Sequence, residues 1–257
     1  MATPILETRE LCKSFGALVA ASSITVEITE DTVVGLIGGN GAGKTTFVNL
    51  VTGYLKPTSG TIRYRGRDIT PLSPRQVTQL GICRSFQIPQ LFDTLTPYEN
   101  LLIGTGIVER AGDGWAAGER GSRSAEAAAE EMLGRFGLSA HREAPASVLP
   151  EGLRKLLDIA MALVVKPKIL LLDEPTSGVS AAEKFAIMDL VLEAVRAERV
   201  TVLFVEHDME IVRRYAQRVL AFYEGKVIAD GRSEEVLGDP EVRRLVVGEQ
   251  AASAKDR

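Results

Sequence analysis

A glycine-rich loop directly after an apolar strand is the feature that most constrains this chain. Residues 33–37 (Val-Val-Gly-Leu-Ile) have the all-apolar character of a strand buried in a parallel sheet. Gly-Gly-Asn-Gly-Ala-Gly-Lys-Thr-Thr follows at residues 38–46, with four residues between Gly38 and Gly43. This is the Walker A pattern, in which a tight loop turns backbone N–H groups around a polyphosphate and the next helix adds its positive dipole end. The sequence therefore predicts a phosphate site.

Individual residues of this loop have predicted roles. The Lys44 ammonium would reach the β- and γ-phosphates of a nucleotide, and the Thr45 hydroxyl would bind Mg²⁺. Backbone and side-chain groups of the whole loop would surround the phosphates. The predicted nucleotide-binding residues of the loop are Gly38, Gly39, Asn40, Gly41, Ala42, Gly43, Lys44, Thr45 and Thr46.

A second acidic site follows another apolar strand. Residues 169–172 lead into Asp173 and Glu174, which is the Walker B form. Asp173 would hold Mg²⁺, and Glu174 would act as the general base that polarises the attacking water. A third buried strand, residues 200–205, precedes Glu206 and His207. Its position one strand beyond Asp173 predicts a γ-phosphate contact for His207, while His141 lies in a polar loop and has no predicted role.

Other local signals predict an α/β fold. Alternating polar and apolar residues at 24–28 and 61–65 indicate half-exposed strands, and residues 219–229 indicate a hairpin that turns at Glu224-Gly225. Helix starts are predicted at Ser73-Pro74, Thr96-Pro97, Ser180 and Asp239-Pro240. Residues 109–124 are predicted to be an exposed loop, followed by a helix over 125–136.

Composition excludes several classes of protein. The net charge is -4 and the pI is about 5.5, so no basic field favours nucleic acid as a partner. The longest segment without a charge, residues 14–26, is too short and too polar to span a membrane. Cys12 and Cys83 are predicted to be reduced thiols.

In their order along the chain, these motifs resemble the ATP-binding subunits of ABC transporters, over about residues 5–250. The resemblance implies ATP and Mg²⁺ as cofactors. It implies that Phe15 stacks on adenine and that Gln87 contacts Mg²⁺ or water and senses the permease. Core packing is the alternative for Phe15, and a solvated polar residue is the alternative for Gln87.

The signature segment of the family is degenerate in this chain. Its Leu-Ser-Gly-Gly-Gln falls on Leu149, Pro150, Glu151, Gly152 and Leu153. Proline removes a hydroxyl and an N–H, although proline is well tolerated at a first helical position. The family's D-loop aspartate falls on Ser180, which can also cap the helix that it begins, together with Glu183.

Within the family, the chain is most similar to branched-chain amino-acid transporters and their relatives for other small organic solutes. Residues 80–87 (Leu-Gly-Ile-Cys-Arg-Ser-Phe-Gln), Glu99-Asn100 and residues 238–242 carry this similarity. The function it implies is ATP hydrolysis that drives an importer through a separate permease. Lipopolysaccharide-export ATPases and non-transport ABC ATPases are the alternatives.

The architecture that follows is an α/β P-loop NTPase with a mainly parallel sheet, an N-terminal antiparallel β region and a helical lobe. Residues 1–250 are predicted to form one ATP-binding domain, with the lobe at about 88–165, and residues 251–257 a tail. The implied partners are permease subunits and a second ABC ATPase, different from this chain rather than identical. The implied location is the cytoplasmic face of the membrane, through the permease.

Overall fold

The computed structural model describes residues 4–109 and 119–248. The chain divides into two compact units, Met1–Ser73 with Leu203–Arg257, and Pro74–Val202, called unit 1 and unit 2. The predicted lobe, residues 88–165, belongs to unit 2, which also contains two strands and a long helix outside that range. The single domain over residues 1–250 stays a prediction, and the tail at 251–257 lies outside the described residues.

Unit 1 contains an antiparallel sheet and part of a mainly parallel one. The antiparallel sheet has the order β2-β1-β4-β5 and confirms the predicted N-terminal β region. Its strands are β1 (Leu6–Phe15), β2 (Leu18–Ile28), β4 (Ser59–Tyr64) and β5 (Arg67–Asp68). In β2 the burial alternates over the predicted residues 24–28, because successive side chains of a strand point to opposite faces.

The second set of strands in unit 1 carries the glycine-rich loop. The order is β10-β9-β3-β8, with β3 parallel to β9 and β10 antiparallel to β9. The strands are β3 (Val33–Gly38), β8 (Thr201–Val205, which contains the boundary between the units), β9 (Arg218–Tyr223) and β10 (Lys226–Arg232). The predicted hairpin turn is confirmed, since Glu224 and Gly225 both have positive φ, 47° and 76°, as a two-residue turn between twisted strands requires.

Helices of unit 1 follow these strands. They are α1 (Lys44–Val51), α7 (Met209–Tyr215), α8 (Ser233–Gly238), α9 (Pro240–Val242) and a π-helical turn (Arg243–Val247). Every residue of β3 is buried, and the rings of Phe47 in α1 and Phe222 in β9 lie 5.5 Å apart. This packing fixes the strand and the helix that flank the glycine-rich loop.

Unit 2 joins a parallel strand pair to a set of helices. Its strands are β6 (Ile82–Ser85) and β7 (Ile169–Asp173), which pair in parallel from Ile82 opposite Ile169 to Ser85 opposite Leu172. Its helices are α2 (Pro74–Gln79), α3 (Pro97–Glu109), α4 (Glu119–Arg135), α5 (Glu151–Val164) and α6 (Ala181–Ala197), with 3₁₀ turns at Ser139–His141 and Ala146–Val148.

Most predicted helix boundaries in unit 2 are confirmed, and one is wrong. Helices begin at Pro74, Pro97 and Ala181, next to their predicted caps. Helix α4 begins at Glu119, inside the predicted loop, since Gly and Ser are weak signals that a helix packed on α3 and α5 can override. The rest of that loop, residues 110–118, lies outside the described residues. Across residues 4–109 and 119–248, no helix has the length and apolar character needed to cross a membrane.

Candidate functional site

The glycine-rich loop of unit 1 connects the end of β3 to the start of α1. Gly38, Gly41 and Gly43 have φ values of 155°, 78° and 107°, in the region that favours glycine over other residues. A Cβ at Gly38 would lie 2.6 Å from the carbonyl oxygen of Phe222, and one at Gly43 would lie 2.8 Å from that of Ala20. The loop therefore needs glycine at these positions both for its backbone conformation and for its close neighbours.

Lys44 is the first residue of α1 and is folded against this loop. Its side chain is buried, and Nζ donates to the carbonyl oxygens of Gly38 at 2.7 Å and Gly39 at 3.0 Å. Gly43, the N-cap residue, provides no side-chain cap. The first N–H groups of a helix have no partner within the helix, so α1 and the Lys44 ammonium together make a site suited to an anionic phosphate. Thr45 is exposed and Thr46 half-buried.

Two further predicted site residues belong to unit 1. Phe15, at the end of β1, is 49% exposed, so the alternative of core packing is wrong. The Lys13 ammonium lies 5.0 Å from the centre of the Phe15 ring. His207 follows β8 and is exposed, and its backbone N–H donates to the carboxylate of Glu206 at 3.3 Å. A nucleotide contact by Phe15 or His207 stays a prediction.

In unit 2, the acidic pair follows a fully buried strand. Asp173 ends β7 and forms an ion pair with Arg84 of β6, with 2.6 Å between Oδ2 and Nη2. Both side chains are only 8% exposed. The Arg84 guanidinium also lies 4.6 Å from the centre of the Phe86 ring. The negative charge of Asp173 is therefore balanced by a cation of the protein itself.

Gln87 and Glu174 are brought together although they are far apart in sequence. The Gln87 side-chain amide donates to Oε2 of Glu174 at 2.9 Å. Glu174 has a φ of 50°, a left-handed conformation that costs a residue other than glycine on the order of 1–3 kcal/mol. Glu174, the predicted general base, is thus hydrogen-bonded to Gln87, which follows β6, and both residues belong to unit 2.

Two buried charged residues of α5, Lys155 and Asp158, lie at this contact and were not predicted from the sequence. The Lys155 ammonium donates to the carbonyl oxygens of Gln87 at 2.6 Å and Glu174 at 3.1 Å, and to Oγ of Ser177 at 2.9 Å. Asp158 accepts bonds from Ser85 and from two backbone N–H groups that flank Gln87. Burial raises the pKa of Asp158, and these hydrogen bonds oppose the rise. The available signal was two charges three residues apart in residues 155–164 of α5, which are otherwise apolar.

The signature-like segment begins α5. Pro150 is the N-cap residue, with φ of −54°, and Glu151 is the first helical residue, so the predicted first helical position for the proline is wrong by one residue. A Cβ at Gly178 would lie 3.6 Å from Cγ of Glu151, and one at Gly152 would lie 3.6 Å from Cγ1 of Val179. The segment therefore packs against the loop that precedes α6.

Ser180 has the capping role that the sequence predicted. Its side chain accepts a bond from the backbone N–H of Glu183, and the Glu183 carboxylate accepts one from the backbone N–H of Ser180. The Ser180 hydroxyl also donates to the Glu183 carboxylate, and this bond together with the one from the Ser180 backbone N–H lowers the pKa of Glu183. This reciprocal arrangement is a capping box, which explains a serine at this position in structural terms.

Known proteins are similar to this chain in sequence and in fold. The high-affinity branched-chain amino acid transport ATP-binding protein LivG of Salmonella typhimurium is 36% identical, covering 97% of this chain and 100% of the relative. BraF of Pseudomonas aeruginosa, named for the same role, is 34% identical with the same coverage. The ADP conformation of an ATP-binding cassette of an ABC transporter has a TM-score of 0.83 at 33% identity, covering 96% of this chain and 100% of that one.

The family itself is decided by the match of a family model. The model described as ABC transporter matches residues 21–177. This range includes the glycine-rich loop, Gln87, the signature-like segment and the acidic pair. The predicted resemblance, P-loop fold and ATPase class are confirmed: the chain belongs to the ABC transporter family and is one of its nucleotide-binding ATPase cassettes.

Proposed function

We propose that this chain is the ATP-hydrolysing subunit of an importer for branched-chain amino acids or related small organic solutes. The observation that carries the proposal is the full-length similarity to relatives named for branched-chain amino acid transport. The geometry of the glycine-rich loop supports it, because the loop presents an ammonium and helix N–H groups to an anion.

In unit 1, the proposed role of the residues is to hold ATP. Lys44 would exchange its bonds with Gly38 and Gly39 for bonds with the β- and γ-phosphates. The exposed ring of Phe15 is available to stack on adenine. His207 would donate to the γ-phosphate. Backbone N–H groups of the remaining loop residues would complete the phosphate cradle.

Mg²⁺ fits the oxygen donors that the chain provides. Thr45, Gln87 and Asp173 offer a hydroxyl, an amide and a carboxylate oxygen, and Mg²⁺ is commonly bound through one or two carboxylates together with substrate phosphates. In the described part of the chain no group of three or more His, Cys, Asp or Glu residues could hold a metal by itself. When bound, the ion would neutralise developing phosphate charge, and Asp173 would have to share its carboxylate with Arg84.

Glu174 is the proposed general base. Its carboxylate would take the proton of the water that attacks the γ-phosphate, and the Gln87 amide, now bonded to Oε2, would orient it. Positioning and charge stabilisation would supply most of the rate, since phosphoryl transfer needs little covalent chemistry from a protein. The signature-like segment, Leu149 to Leu153, would face the nucleotide of a second ATPase subunit.

The proposed permease contact is an exposed apolar patch in unit 2. Ile88 is 74% exposed and Phe92 is 48% exposed, while Leu91 and Leu95 are half-buried beside them. Apolar residues exposed together mark interaction surfaces more often than scattered ones do. Docking here would place the chain at the cytoplasmic face of the membrane, held there by the permease.

Transport by the reconstituted complex tests this function. Permease subunits that co-purify with the chain are placed with it in lipid vesicles, and uptake of leucine, isoleucine and valine is measured with and without ATP. We expect ATP-dependent uptake that Lys44→Ala abolishes. A lipopolysaccharide-export ATPase would stimulate no amino-acid uptake. A non-transport ATPase would co-purify with no polytopic membrane protein, and either result contradicts the proposal.

A further inference from the structure

We propose that Lys155 is a positioning residue that holds Gln87 and Glu174 in their reactive arrangement. The proposal rests on the proposed function, because it takes Glu174 as the general base and Gln87 as its partner. It adds a residue of α5 that acts through the backbone of other residues.

Lys155 connects three separate segments of unit 2. Its ammonium donates to the carbonyl oxygen of Gln87 after β6, to the carbonyl oxygen of Glu174 after β7, and to the hydroxyl of Ser177 before α6. An ammonium has three N–H donors, and the three distances are 2.6, 3.1 and 2.9 Å. The group can therefore satisfy all three acceptors at once.

The Lys155 ammonium is buried, so its hydrogen bonds are needed to offset the cost of removing its charge from water. Lys155 is only 2% exposed, and an ammonium is costly to bury unless it is paired or hydrogen-bonded. Asp158 lies one helical turn further on and is also buried. Desolvation raises its pKa, and the charge of Lys155 is one of the smaller effects that oppose the rise. An apolar pair in the core-facing part of a helix would cost less desolvation than these two charges do, and the hydrogen bonds of Lys155 and Asp158 offset that cost.

Lys155 and Asp158 together hydrogen-bond to the backbone before, at and after Gln87. Asp158 accepts from the backbone N–H groups of Phe86 at 3.1 Å and Gln90 at 2.9 Å, while Lys155 binds the carbonyl oxygen of Gln87 itself. The backbone that carries the Gln87 amide is thus fixed at three points by one helix. The amide is left to bind the Glu174 carboxylate at 2.9 Å.

Glu174 depends on the same lysine. Its left-handed backbone, with φ of 50°, is unfavourable by itself, and the Lys155 ammonium binds the carbonyl oxygen of that residue. Loss of the ammonium would release the backbone on both sides of the Gln87–Glu174 contact. A misplacement of about 1 Å can cost on the order of 10²-fold in rate, so the effect should be on turnover and not on nucleotide affinity.

The first test compares Lys155→Met with a neighbouring control. Arg154 lies on the same helix and carries the same charge, but its guanidinium binds Asp93 and the carbonyl oxygen of Ala146 instead. We measure kcat at saturating Mg²⁺-ATP in the complex purified through this chain, and the dissociation constant for ATP by calorimetry. We expect kcat to fall about 10- to 100-fold in Lys155→Met, with the ATP dissociation constant changed less than about threefold.

Rescue and control variants separate positioning from general stability. Lys155→Arg keeps the charge and N–H donors and should recover kcat to within about fivefold of the parent, and Arg154→Met should change kcat less than about threefold. If Lys155→Met does not fold, Lys155→Gln, which keeps two N–H donors, replaces it with the same criteria. A kcat equal to that of the parent in Lys155→Met (or in Lys155→Gln, if that variant replaces it) would overturn the proposal. A loss of ATP affinity as large as the loss of kcat would also overturn it.

Hydrogen exchange provides a readout that needs no turnover. The backbone amides of residues 86–90 and 174–177, except Pro89 and Pro175, which have none, should exchange faster in Lys155→Met than in the parent. Arg154→Met should leave them unchanged. Equal exchange in all three proteins would overturn the positioning role. A parental chain that hydrolyses no ATP would contradict the proposed function instead, and the exchange comparison would still decide the role of Lys155.

Discussion

Arg84 and Asp173 form a buried ion pair at the ends of two neighbouring parallel strands. Nη2 of Arg84 lies 2.6 Å from Oδ2 of Asp173, and each side chain is 8% exposed. The residue that is proposed to bind Mg²⁺ is thus already neutralised within unit 2. Because both groups are out of water, each depends on the other for compensation of its charge.

Arg84→Met should destabilise the chain strongly. Removal of one partner from a buried pair typically costs about 3–5 kcal/mol, since the other charge stays buried and unpaired. The double variant Arg84→Met/Asp173→Asn should cost less than the sum of the single variants. Urea unfolding of the four proteins measures both effects.

A surface pair gives the matched control. Arg65 and Glu30 lie 2.7 Å apart, but their side chains are about half exposed, so Arg65→Met should cost at most about 1 kcal/mol. If the losses of unfolding free energy in the two single variants add up to the loss in the double variant, the buried pair contributes nothing of its own. The same conclusion holds if Arg84→Met loses no more unfolding free energy than Arg65→Met.

Lys44 and Glu174 should separate nucleotide binding from turnover. Lys44→Ala removes the charge that meets the phosphates in the ground state and should abolish tight ATP binding. Glu174→Gln should keep ATP binding and lower the hydrolysis rate by about 10²- to 10⁴-fold, the usual effect of losing a general base. Calorimetry and phosphate release measure the two quantities. Lys56→Ala, in the segment that follows α1, is the control, and parental turnover in Glu174→Gln would exclude Glu174 as the base.

A charge in the apolar patch should weaken binding to the permease. Phe92→Glu and Ile88→Glu change exposed side chains, so the fold should tolerate them, while a buried carboxylate in an apolar interface is unfavourable. We expect less permease to co-purify, with unchanged affinity for ATP. Tyr54→Glu places the same charge at another exposed aromatic residue, 54% exposed in unit 1. Equal permease yield from Phe92→Glu, Ile88→Glu and Tyr54→Glu would exclude docking through this patch.

The degenerate signature should make two ATP sites of a dimer unequal. Pro150 has neither hydroxyl nor N–H, and Glu151 places a carboxylate at the start of α5. A lost hydrogen bond to a charged group is worth roughly 1.5–3 kcal/mol. We therefore expect the nucleotide facing this segment to turn over slowly, and the chain to work with a different ATPase that has an intact signature. If Pro150 and Glu151 serve only to start the helix, the two sites should be equivalent.

The general-base change in one subunit at a time tests this asymmetry. The rate of ATP hydrolysis by the heteromeric complex should be almost completely lost with Glu174→Gln in this chain. The equivalent change in the partner ATPase should lower it much less. Equal losses from the two changes, or full activity of a dimer made of this chain alone, would refute the unequal-site prediction.

The thiol of Cys83 should make stability depend on pH in the alkaline range. Burial raises its pKa from 9.0 to about 12, so the folded chain retains a proton that the unfolded chain loses. The stabilising contribution is complete below the unfolded pKa and decreases as pH rises toward the folded value. Relative to Cys83→Ala, the free energy of unfolding of the parent should be about 1.4 kcal/mol lower at pH 10 than at pH 8. Urea unfolding under reducing conditions measures this difference, and a constant difference would contradict it.

The sequence by itself determined the local structures and the family. The glycine-rich loop, the Ser180–Glu183 cap and the Glu224-Gly225 turn were all predicted, because each depends on backbone preferences and on residues at most a few positions apart. The apolar runs also gave β3 and β7 with their ends within a residue. The ABC transporter family followed from the order of these short motifs.

Only the tertiary structure decided how distant residues are paired. Arg84 meets Asp173 across 89 positions, Gln87 meets Glu174 across 87, and Lys155 reaches the Gln87 carbonyl across 68. The register of β6 on β7 places the first two pairs together, and the packing of α5 against β6 and β7 places the third. The secondary-structure propensities of nearby residues do not determine how two strands are aligned or where a helix packs. The sequence therefore shows which polar and charged residues are present, but only the packing of the strands and of α5 determines which of them are paired.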